Sequence, residues 1–248
     1  MRKTILITGA SSGLGRGMAR VFAGKGHNLA LCARRTDRLE ELKAELEATH
    51  PSIRISIQAL DVLNYDQVFS VFKAFQQDFG TIDRIIINAG MGKGQPIGTG
   101  YFYANQQTAE TNFVAALAQC EAAMEIFRAQ NDGHLVMISS MSAMRGMPKN
   151  LTTYAATKAG VAALAEGIRA EMIGKPIKIS TIYPGYIRSE INEKVKNTPF
   201  MIDTETGCHL LAAAIDKEPN NASVPAWPWR PLGFLMRHLP LNVVAKMG

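Results

Sequence analysis

The sequence predicts an α/β fold, a parallel sheet of about seven strands with helices on both faces. Short apolar runs alternate with longer amphipathic stretches along the chain. The first apolar run also ends at a glycine-rich turn that leads directly into a helical pattern. The 248 residues are 47% apolar, which is enough to bury one large core. We therefore expect a single domain over residues 1–248.

Six of these apolar runs predict strands, because buried parallel strands are almost continuously apolar. They cover residues 4–8, 28–35, 53–62, 84–90, 134–140 and 178–185. Helical spacing of apolar residues follows each of the first five runs. The predicted helices cover residues 16–23, 36–46, 66–79, 101–128 and 151–164. Strands that alternate with helices in this way form a three-layer sandwich with the sheet in the middle.

The turn at residues 9–15 has the composition of a phosphate-binding loop. Gly9, Gly13 and Gly15 permit a tight turn and close approach of a ligand. A strand, such a turn and a helix together offer backbone N–H groups and a helix N-terminus to an anion. The glycine spacing is Gly-x-x-x-Gly-x-Gly rather than the strict dinucleotide fingerprint. A turn that binds no ligand therefore stays open as an alternative.

The second predicted strand ends on two arginines, Arg34 and Arg35. In dinucleotide-binding folds an acid at this point, about 20 residues after the turn, binds the ribose 2′-hydroxyl, whereas an arginine accommodates a 2′-phosphate. The pair predicts NADP(H) in preference to NAD. The alternative is two solvated charges at a strand end.

A tyrosine and a lysine stand four residues apart in the helix predicted over residues 151–164. Tyr154 and Lys158 therefore lie on one helical face and can serve one site. A phenol has a pKa of about 10, and a nearby cation is expected to lower that pKa. The tyrosine could then act as a general acid or base. An ordinary pair on a half-exposed helix is the alternative.

Composition excludes several classes of protein. Basic residues exceed acidic ones by only 27 to 21, and no Lys/Arg run marks a nucleic-acid partner. Cys32, Cys120 and Cys208 are far apart, which predicts free thiols in a reducing compartment. The five histidines show no metal-ligand spacing, so no metal is expected. The N-terminal apolar run is too short for a signal peptide or a membrane span, and we expect a cytoplasmic protein.

In combination, the ordered motifs of this chain resemble those of the short-chain dehydrogenase/reductase family, of the single-domain type. The resemblance covers residues 4–190, about three quarters of the chain. It implies a Rossmann-type, doubly wound parallel sheet. The matching positions are Thr8, Gly9, Ala10, Ser11, Ser12, Gly13, Leu14, Gly15, Asp61, Val62, Asn88, Ala89, Gly90, Asn112, Ser139, Ser140, Tyr154, Lys158, Pro184 and Gly185.

The resemblance assigns these positions to a cofactor site and a catalytic site. The residues implied to bind the cofactor are Gly9, Ser11, Ser12, Gly13, Leu14 and Gly15 at the phosphates, Arg34 and Arg35 at the 2′-phosphate, Asp61 and Val62 at the adenine, Asn88, Ala89 and Gly90 along the groove, Tyr154 and Lys158 at the ribose, and Pro184, Gly185, Ile187 and Ser189 at the nicotinamide. The implied catalytic residues are Asn112, Ser140, Tyr154 and Lys158, with Asn112 bending its helix and holding a water molecule.

The activity implied by the resemblance is NADP(H)-dependent interconversion of a small-molecule carbonyl and an alcohol. Ser140 would donate a hydrogen bond to the substrate oxygen while Tyr154 delivers the proton. The spacing from Ser140 to Tyr154 is 14 residues where the family commonly has 13, and the extra residue is expected in residues 148–150. Ser139 or Ser142 as the donor stays open. A non-catalytic cofactor sensor or scaffold of the same fold is the alternative function.

The sequence says less about the residues that border the substrate cleft, which we call the substrate end of the site. Met91, Met141, Met144 and Met147 favour an apolar substrate, although core packing would explain them equally well. Residues 192–218 are expected to form a flap and helix over the substrate. The family resemblance also implies a homodimer or homotetramer.

The last segment, residues 219–248, contains five of the 11 prolines, both tryptophans and no acid. Three interpretations stay open for this tail. It could be a lid or dimer contact, it could be a peripheral membrane anchor through residues 225–248, or it could pack loosely on the domain.

Overall fold

The computed structural model describes residues 2–92, 94–190 and 198–246. A single parallel sheet of seven strands runs through them, in the order β3-β2-β1-β4-β5-β6-β7. The strands are β1 (Thr4–Thr8), β2 (Asn28–Ala33), β3 (Ile55–Ala59), β4 (Arg84–Ile87), β5 (Gly133–Ile138), β6 (Ile177–Pro184) and β7 (Asn221–Val224). The predicted doubly wound Rossmann-type sheet is confirmed.

Helices connect the strands and cover both faces of the sheet. They are α1 (Gly13–Gly24), α2 (Thr36–Thr49), α3 (Tyr65–Phe79), α4 (Phe102–Ala109), α5 (Ala115–Gln130), α6 (Thr152–Glu171), α7 (Thr204–Asp216), α8 (Ala226–His238) and α9 (Leu241–Val244). Successive strand residues point to opposite faces. Ile5 and Ile7 of β1 therefore pack with α1, α2 and α7, while Leu6 packs with α3, α5 and α6. The three layers follow from this alternation.

The strand order reverses beside β1, which pairs with β2 on one side and with β4 on the other. Connections from the two halves of the sheet leave in opposite directions at this point. A crevice opens there at the carboxyl ends of the strands, where ligands bind in folds of this type. The fold thus places the glycine-rich turn after β1 beside the ends of β4, β5 and β6.

The long helix predicted over residues 101–128 is interrupted at the expected asparagine. Residues Glu110–Val114 form one π-helical turn between α4 and α5, and Asn112 lies within it. Such turns are often found at functional sites. Farther along, Lys149 adopts a positive φ of 56° in a 3₁₀ turn before α6. This turn lies where the extra residue between Ser140 and Tyr154 was expected.

The segment predicted as a flap contributes a structural helix. Residues 192–197 lie outside the described residues, but α7 packs along α1 and buries Cys208, Leu211 and Ile215. A Cβ atom on Gly17 of α1 would lie 2.3 Å from the Cys208 Sγ atom, so the two helices are in close contact. The apolar face of α7 covers the sheet, and the flap over the substrate stays a prediction.

The tail packs closely onto the domain. Its residues 221–224 form β7, which extends the sheet beside β6 although its Asn-Ala-Ser-Val sequence has little strand character. Trp229, Met236 and Val244 are buried against residues of the substrate end, including Met141 and Met147. Loose packing is therefore wrong for this segment. Within the described ranges, no helix combines the length and apolar character needed to cross a bilayer.

Candidate active site

A groove of about 430 Å³ opens at the carboxyl edge of the sheet, and we call it the carboxyl-edge groove. All the predicted site residues line it except Gly15 and Asn112. These lining residues are Gly9, Ser11, Ser12, Gly13, Leu14, Arg34, Arg35, Asp61, Val62, Asn88, Ala89, Gly90, Ser140, Tyr154, Lys158, Pro184, Gly185, Ile187 and Ser189. The fold therefore brings together residues that are up to 180 positions apart in the chain.

The glycine-rich turn needs its glycines for two different reasons. Gly9 and Gly13 have φ values of 66° and 52°, a region that side-chain-bearing residues rarely adopt. Gly15 lies behind the groove, where a Cβ atom would be 2.3 Å from the carbonyl oxygen of Gly9. The turn can therefore stay tight only while this position has no side chain.

Hydrogen bonds attach the turn to the end of β4. The Thr8 hydroxyl oxygen accepts from the backbone N–H groups of Asn88 and Ala89, each at 3.1 Å. The Asn88 amide in turn donates to the carbonyl oxygen of Thr8 at 3.0 Å. The Asn88 side chain thus holds two strand ends together, and Thr8 and Asn88 act as positioning residues for the groove.

Ser140, Tyr154 and Lys158 meet on one wall of the groove. Ser140 follows β5, and its hydroxyl oxygen accepts from the backbone N–H of Ser142 at 3.1 Å. The Ser140 hydroxyl also lies close enough to the Tyr154 phenol to influence its pKa. The Lys158 Nζ atom donates to the carbonyl oxygen of Ile138 at 2.9 Å and lies 5.9 Å from the centre of the Tyr154 ring. A hydroxyl, a phenol and an ammonium therefore share one surface.

Burial dominates the acidity of this cluster. It lowers the pKa of the Lys158 ammonium to about 8. Burial also raises the pKa of Tyr154 because it disfavours the phenolate, and the hydrogen bond from Ser140 only partly opposes it. The expectation that Lys158 lowers the pKa of Tyr154 is wrong for this structure. The ammonium is directed at the Ile138 carbonyl, and burial is the largest influence on the pKa of the phenol.

The alternative serines have different surroundings. The Ser139 hydroxyl is buried and donates to the backbone carbonyl oxygen of Lys158 at 2.7 Å, so it holds α6 against β5. Ser142 contributes its backbone N–H to Ser140. Of the three, Ser140 has a hydroxyl that contacts Tyr154 and lines the groove.

Asn112 lies behind the groove wall and is almost completely buried. Its side-chain oxygen accepts from the backbone N–H of Met91 at 2.8 Å, and its amide donates to the Met91 carbonyl at 2.8 Å. A Cβ atom on Gly90 would lie 3.2 Å from the Asn112 oxygen and 3.5 Å from the Lys158 Nζ atom. Asn112 thus positions the segment after β4, and its role in holding a water molecule stays a prediction.

The two arginines after β2 are placed differently. Arg34 is exposed at the edge of the groove. Arg35 reaches back over the glycine-rich turn, where its Nη2 atom donates to the Ser12 hydroxyl at 2.6 Å. The same atom contacts the Glu190 carboxylate at 3.1 Å, and Arg38 Nη1 contacts that carboxylate at 2.6 Å. The structure thus links the start of α2 to the segment after β6.

Sequence reasoning missed some members of this site. Glu190 lines the groove next to the predicted Ser189, and Gln107 and Thr111 line it from the α4 side. Arg38 carries a recognisable signal, because it lies three residues after Arg35 and so on the same side of the start of α2. Glu190 has no such signal, since its partners are more than 150 residues away in the chain.

The groove meets the requirements of a dinucleotide. Its volume lies within the range of small-molecule sites. The turn with positive φ at Gly9 and Gly13 leads into the N-terminus of α1, which favours phosphate. Because Gly90 has no side chain, the Lys158 ammonium next to it stays accessible from the groove. In the part of the chain that the structure describes, no three potential metal ligands lie together.

Comparisons with known proteins agree with this geometry. The family model described as short chain dehydrogenase matches residues 3–199. An uncharacterised oxidoreductase of Mycobacterium tuberculosis is 52% identical over 247 residues, covering 100% of this chain and 98% of the relative. The chain is thus similar to a bacterial oxidoreductase over its whole length, including the tail.

Solved structures of the same fold are also similar. The structure of levodione reductase is 26% identical with a TM-score of 0.81, covering 90% of this chain and 95% of that one. NADPH-dependent 3-quinuclidinone reductase from Rhodotorula rubra is 23% identical with a TM-score of 0.81, covering 90% and 89%. A short chain dehydrogenase/reductase from Burkholderia phymatum in complex with NAD is 20% identical with a TM-score of 0.85, covering 98% and 95%. With the site geometry and the family match in agreement, the chain belongs to the short-chain dehydrogenase family of oxidoreductases.

Proposed function

We propose that this protein is an NADP(H)-dependent oxidoreductase that interconverts a carbonyl and an alcohol. The observation that supports this most directly is the joint position of Ser140, Tyr154 and Lys158 on one wall of the carboxyl-edge groove. A hydroxyl donor, a proton donor and a cation are the groups that reduction of a carbonyl requires. When bound, the nicotinamide would supply or accept the hydride.

The roles proposed for Ser140 and Tyr154 follow from the charge that develops on the substrate oxygen. As the carbonyl carbon gains a hydride, negative charge develops on its oxygen. Ser140 donates a hydrogen bond to that oxygen, and Tyr154 transfers its proton to it. The raised pKa of Tyr154 keeps the phenol protonated at neutral pH, which suits the reductive direction. Lys158, on the same wall of the groove, would hold the ribose of the cofactor through its ammonium.

The preference for NADP(H) rests on the arginines after β2. Arg34 and Arg35 lie at the point where a 2′-phosphate is accommodated in this class of fold, and Arg38 adds a third guanidinium beside them. The glycine-rich turn with Ser11 and Ser12 would hold the pyrophosphate. The remaining predicted contacts, from Asp61 to Ser189, would orient the adenine and the nicotinamide along the groove.

An apolar substrate is part of the proposal. Met91 lines the groove. Beyond Gly185, the rings of Tyr186 and Phe200 lie 5.5 Å and 6.3 Å from that of Trp229. The rings of Tyr186 and Phe200 are partly or largely exposed, and such aromatic surfaces favour apolar and aromatic ligands. Met141 and Met147 are buried under the tail, so they support the shape of the cleft through packing.

The test is reduction of a panel of ketones and quinones, measured as NADPH oxidation by the wild type and by Tyr154→Phe. The variant keeps the ring but loses the transferable proton, so kcat is expected to fall by about 10²- to 10⁴-fold. The Kd for NADPH is expected to change by less than about twofold, because the ring still fills its place.

Tyr183→Phe is the matched control, because Tyr183 is a largely buried tyrosine that does not line the groove. It should leave turnover close to the wild-type value. Equal turnover by Tyr154→Phe and the wild type would refute the assignment of the acid. NADPH binding without reduction of any carbonyl would favour the sensor or scaffold alternative.

A further inference from the structure

Glu190 bridges two arginines across the mouth of the carboxyl-edge groove. Its Oε2 atom lies 3.1 Å from Arg35 Nη2, and its Oε1 atom lies 2.6 Å from Arg38 Nη1. The glutamate follows β6, whereas the arginines flank the start of α2. One carboxylate thus occupies the space between the two guanidinium groups that a phosphate at this point would contact.

The two arginines that contact Glu190 differ in their other partners. Arg35 also donates to the hydroxyl oxygens of Ser12, at 2.6 Å, and Ser11, at 3.4 Å. Arg35 therefore contacts the phosphate-binding turn and the glutamate at the same time, whereas Arg38 contacts the glutamate. Hydrogen bonds from Arg38 and Arg35 lower the pKa of Glu190, so the carboxylate is charged at neutral pH. Any second anion bound here would meet a like charge.

We infer that Glu190 is a specificity-determining residue that competes with the ribose 2′-phosphate for Arg35 and Arg38. The inference rests on the proposed use of NADP(H). It assigns Arg38 to the same phosphate contact as Arg35. It also implies that Glu190 weakens NADP(H) binding more than NAD(H) binding, since the ribose of NAD(H) has no group to displace it.

Competition is favoured over a permanent bridge for two reasons. The side chains of Arg35, Arg38 and Glu190 are 41%, 38% and 50% exposed, and ion pairs of such exposure contribute little free energy. A phosphate carries more charge than a carboxylate and has three acceptor oxygens, so it makes stronger contacts with arginine forks. A 2′-phosphate can therefore displace Glu190, but at a cost in affinity.

The test uses ligand fragments that need no turnover. Calorimetry measures the Kd of adenosine 2′,5′-bisphosphate and of 5′-AMP for the wild type, Glu190→Gln and Glu121→Gln. Glu121 is an exposed residue of α5, so Glu121→Gln removes the same charge away from the groove. Glu190→Gln is expected to bind the bisphosphate about three- to tenfold more tightly, with less than about a twofold change for 5′-AMP. Glu121→Gln should match the wild type, and thermal unfolding of each variant checks that it is folded.

Three results would overturn the inference: no gain for the bisphosphate in Glu190→Gln, an equal gain for 5′-AMP, or no binding of the bisphosphate by either protein. Carbonyl reduction with NADPH is assayed on the same samples. Selective tightening in a protein that reduces no carbonyl would support the role of Glu190 and refute the proposed function. Carbonyl reduction without selective tightening of the bisphosphate would support the proposed function and refute the role of Glu190.

Discussion

The charge of Lys158 is set by its surroundings. Its ammonium is buried, and its hydrogen bond goes to the Ile138 carbonyl oxygen at 2.9 Å. Burial lowers its pKa to about 8, so the residue changes charge within a range of pH that enzymes experience. Burial raises the pKa of Tyr154 beside it, so both side chains favour their neutral forms. The charge that Lys158 contributes to the groove is therefore expected to decrease as pH rises above neutrality.

This charge change predicts a pH-dependent affinity. The Lys158 side chain is cationic below pH 8 and neutral above it, so an anionic nucleotide should bind more weakly as pH rises from 7 to 9. We expect the Kd for NADPH to increase about three- to tenfold, because with a pKa of about 8 the protonated fraction of Lys158 falls about tenfold between pH 7 and pH 9. Fluorescence titration at each pH measures this. In Lys158→Arg the charge persists, so its Kd should be flat, and a curve identical to that of the wild type would contradict the prediction.

At the scale of the element, α6 supports the site along its whole length. It presents Tyr154 and Lys158 at its N-terminal end and packs onto the sheet through Val161 and Ala165. Two glycines lie within the helix in different surroundings. A Cβ atom on Gly160 would be 2.9 Å from the Phe113 ring, whereas a Cβ atom on Gly167 would meet nothing within 4 Å. Gly160 permits close packing, and Gly167 has no such role.

The two glycines predict opposite responses to alanine. Gly167→Ala should increase the free energy of unfolding by about 0.5–1 kcal/mol, because alanine is the better helix former and the space is open. Gly160→Ala should lose that gain or reverse it, because the Phe113 ring must move. Urea unfolding of both variants measures the difference. Equal stabilisation by the two substitutions would show that the α6–Phe113 contact is not tight.

The tail helix α8 has one tryptophan facing inward and one facing outward. Trp229 is 6% exposed and touches Gly185, where a Cβ atom would lie 2.1 Å from its indole nitrogen. Trp227 is 79% exposed. The helix therefore stabilises the groove segment after β6 through the buried ring of Trp229. Deletion of residues 225–248 would remove this core contact, so point substitutions are the better way to study the tail.

The tryptophan pair predicts a large contrast in stability. Trp229→Ala should lower the free energy of unfolding by about 3–5 kcal/mol, the usual cost of truncating a buried aromatic side chain. Trp227→Ala should stay within about 0.5 kcal/mol of the wild type, because an exposed ring loses little contact. Chemical denaturation measures both. Similar values for the two variants would mean that the tail is not packed as described.

Across the whole molecule, a buried polar network joins the amino ends of the central strands. The Arg84 Nε atom donates to His134 Nδ1 at 2.9 Å, and His134 Nε2 lies 2.8 Å from the Ser180 hydroxyl. Arg84 also pairs with Asp216 of α7 at 2.7 Å. Burial, with the neighbouring Arg84 charge, lowers the pKa of His134 to about 2. His134 therefore stays neutral in the folded protein at pH values between about 2 and 6.5, where the same histidine in the unfolded chain is protonated.

The network predicts acid sensitivity of the fold. The folded-state pKa of His134 is below the unfolded value of about 6.5, so the unfolded state binds more protons and stability is lost as pH falls below 6.5. Each pH unit costs up to about 1.4 kcal/mol from this residue. Unfolding measured from pH 6.5 to 4.5 should show a shallower slope in His134→Gln than in the wild type. An unchanged slope would mean that His134 can be protonated in the folded state.

Much of the fold could be predicted because its signals are local. Continuous apolar runs marked the first six strands, and the regular alternation of strand and helix indicated a parallel sheet. The seventh strand, Asn221–Val224, was missed because its sequence has weak strand character and pairing with β6 decides its conformation. The groove residues were predictable from ordered motifs, whereas Glu190 was not, because its arginine partners are more than 150 residues away in the chain. The predicted oligomer and the predicted membrane contact of the tail stay predictions.

The sequence by itself determined the alternation of strands and helices, the glycine-rich turn and the placement of Tyr154 and Lys158 on one helical face. Each depends on neighbours within a few residues, where backbone geometry is decided. Only the tertiary structure decided the protonation tendency of Tyr154 and Lys158, the bridge from Glu190 to two arginines and the burial of Trp229. These depend on desolvation and on contacts between distant segments, and such contacts exist only once the sheet has brought those segments together.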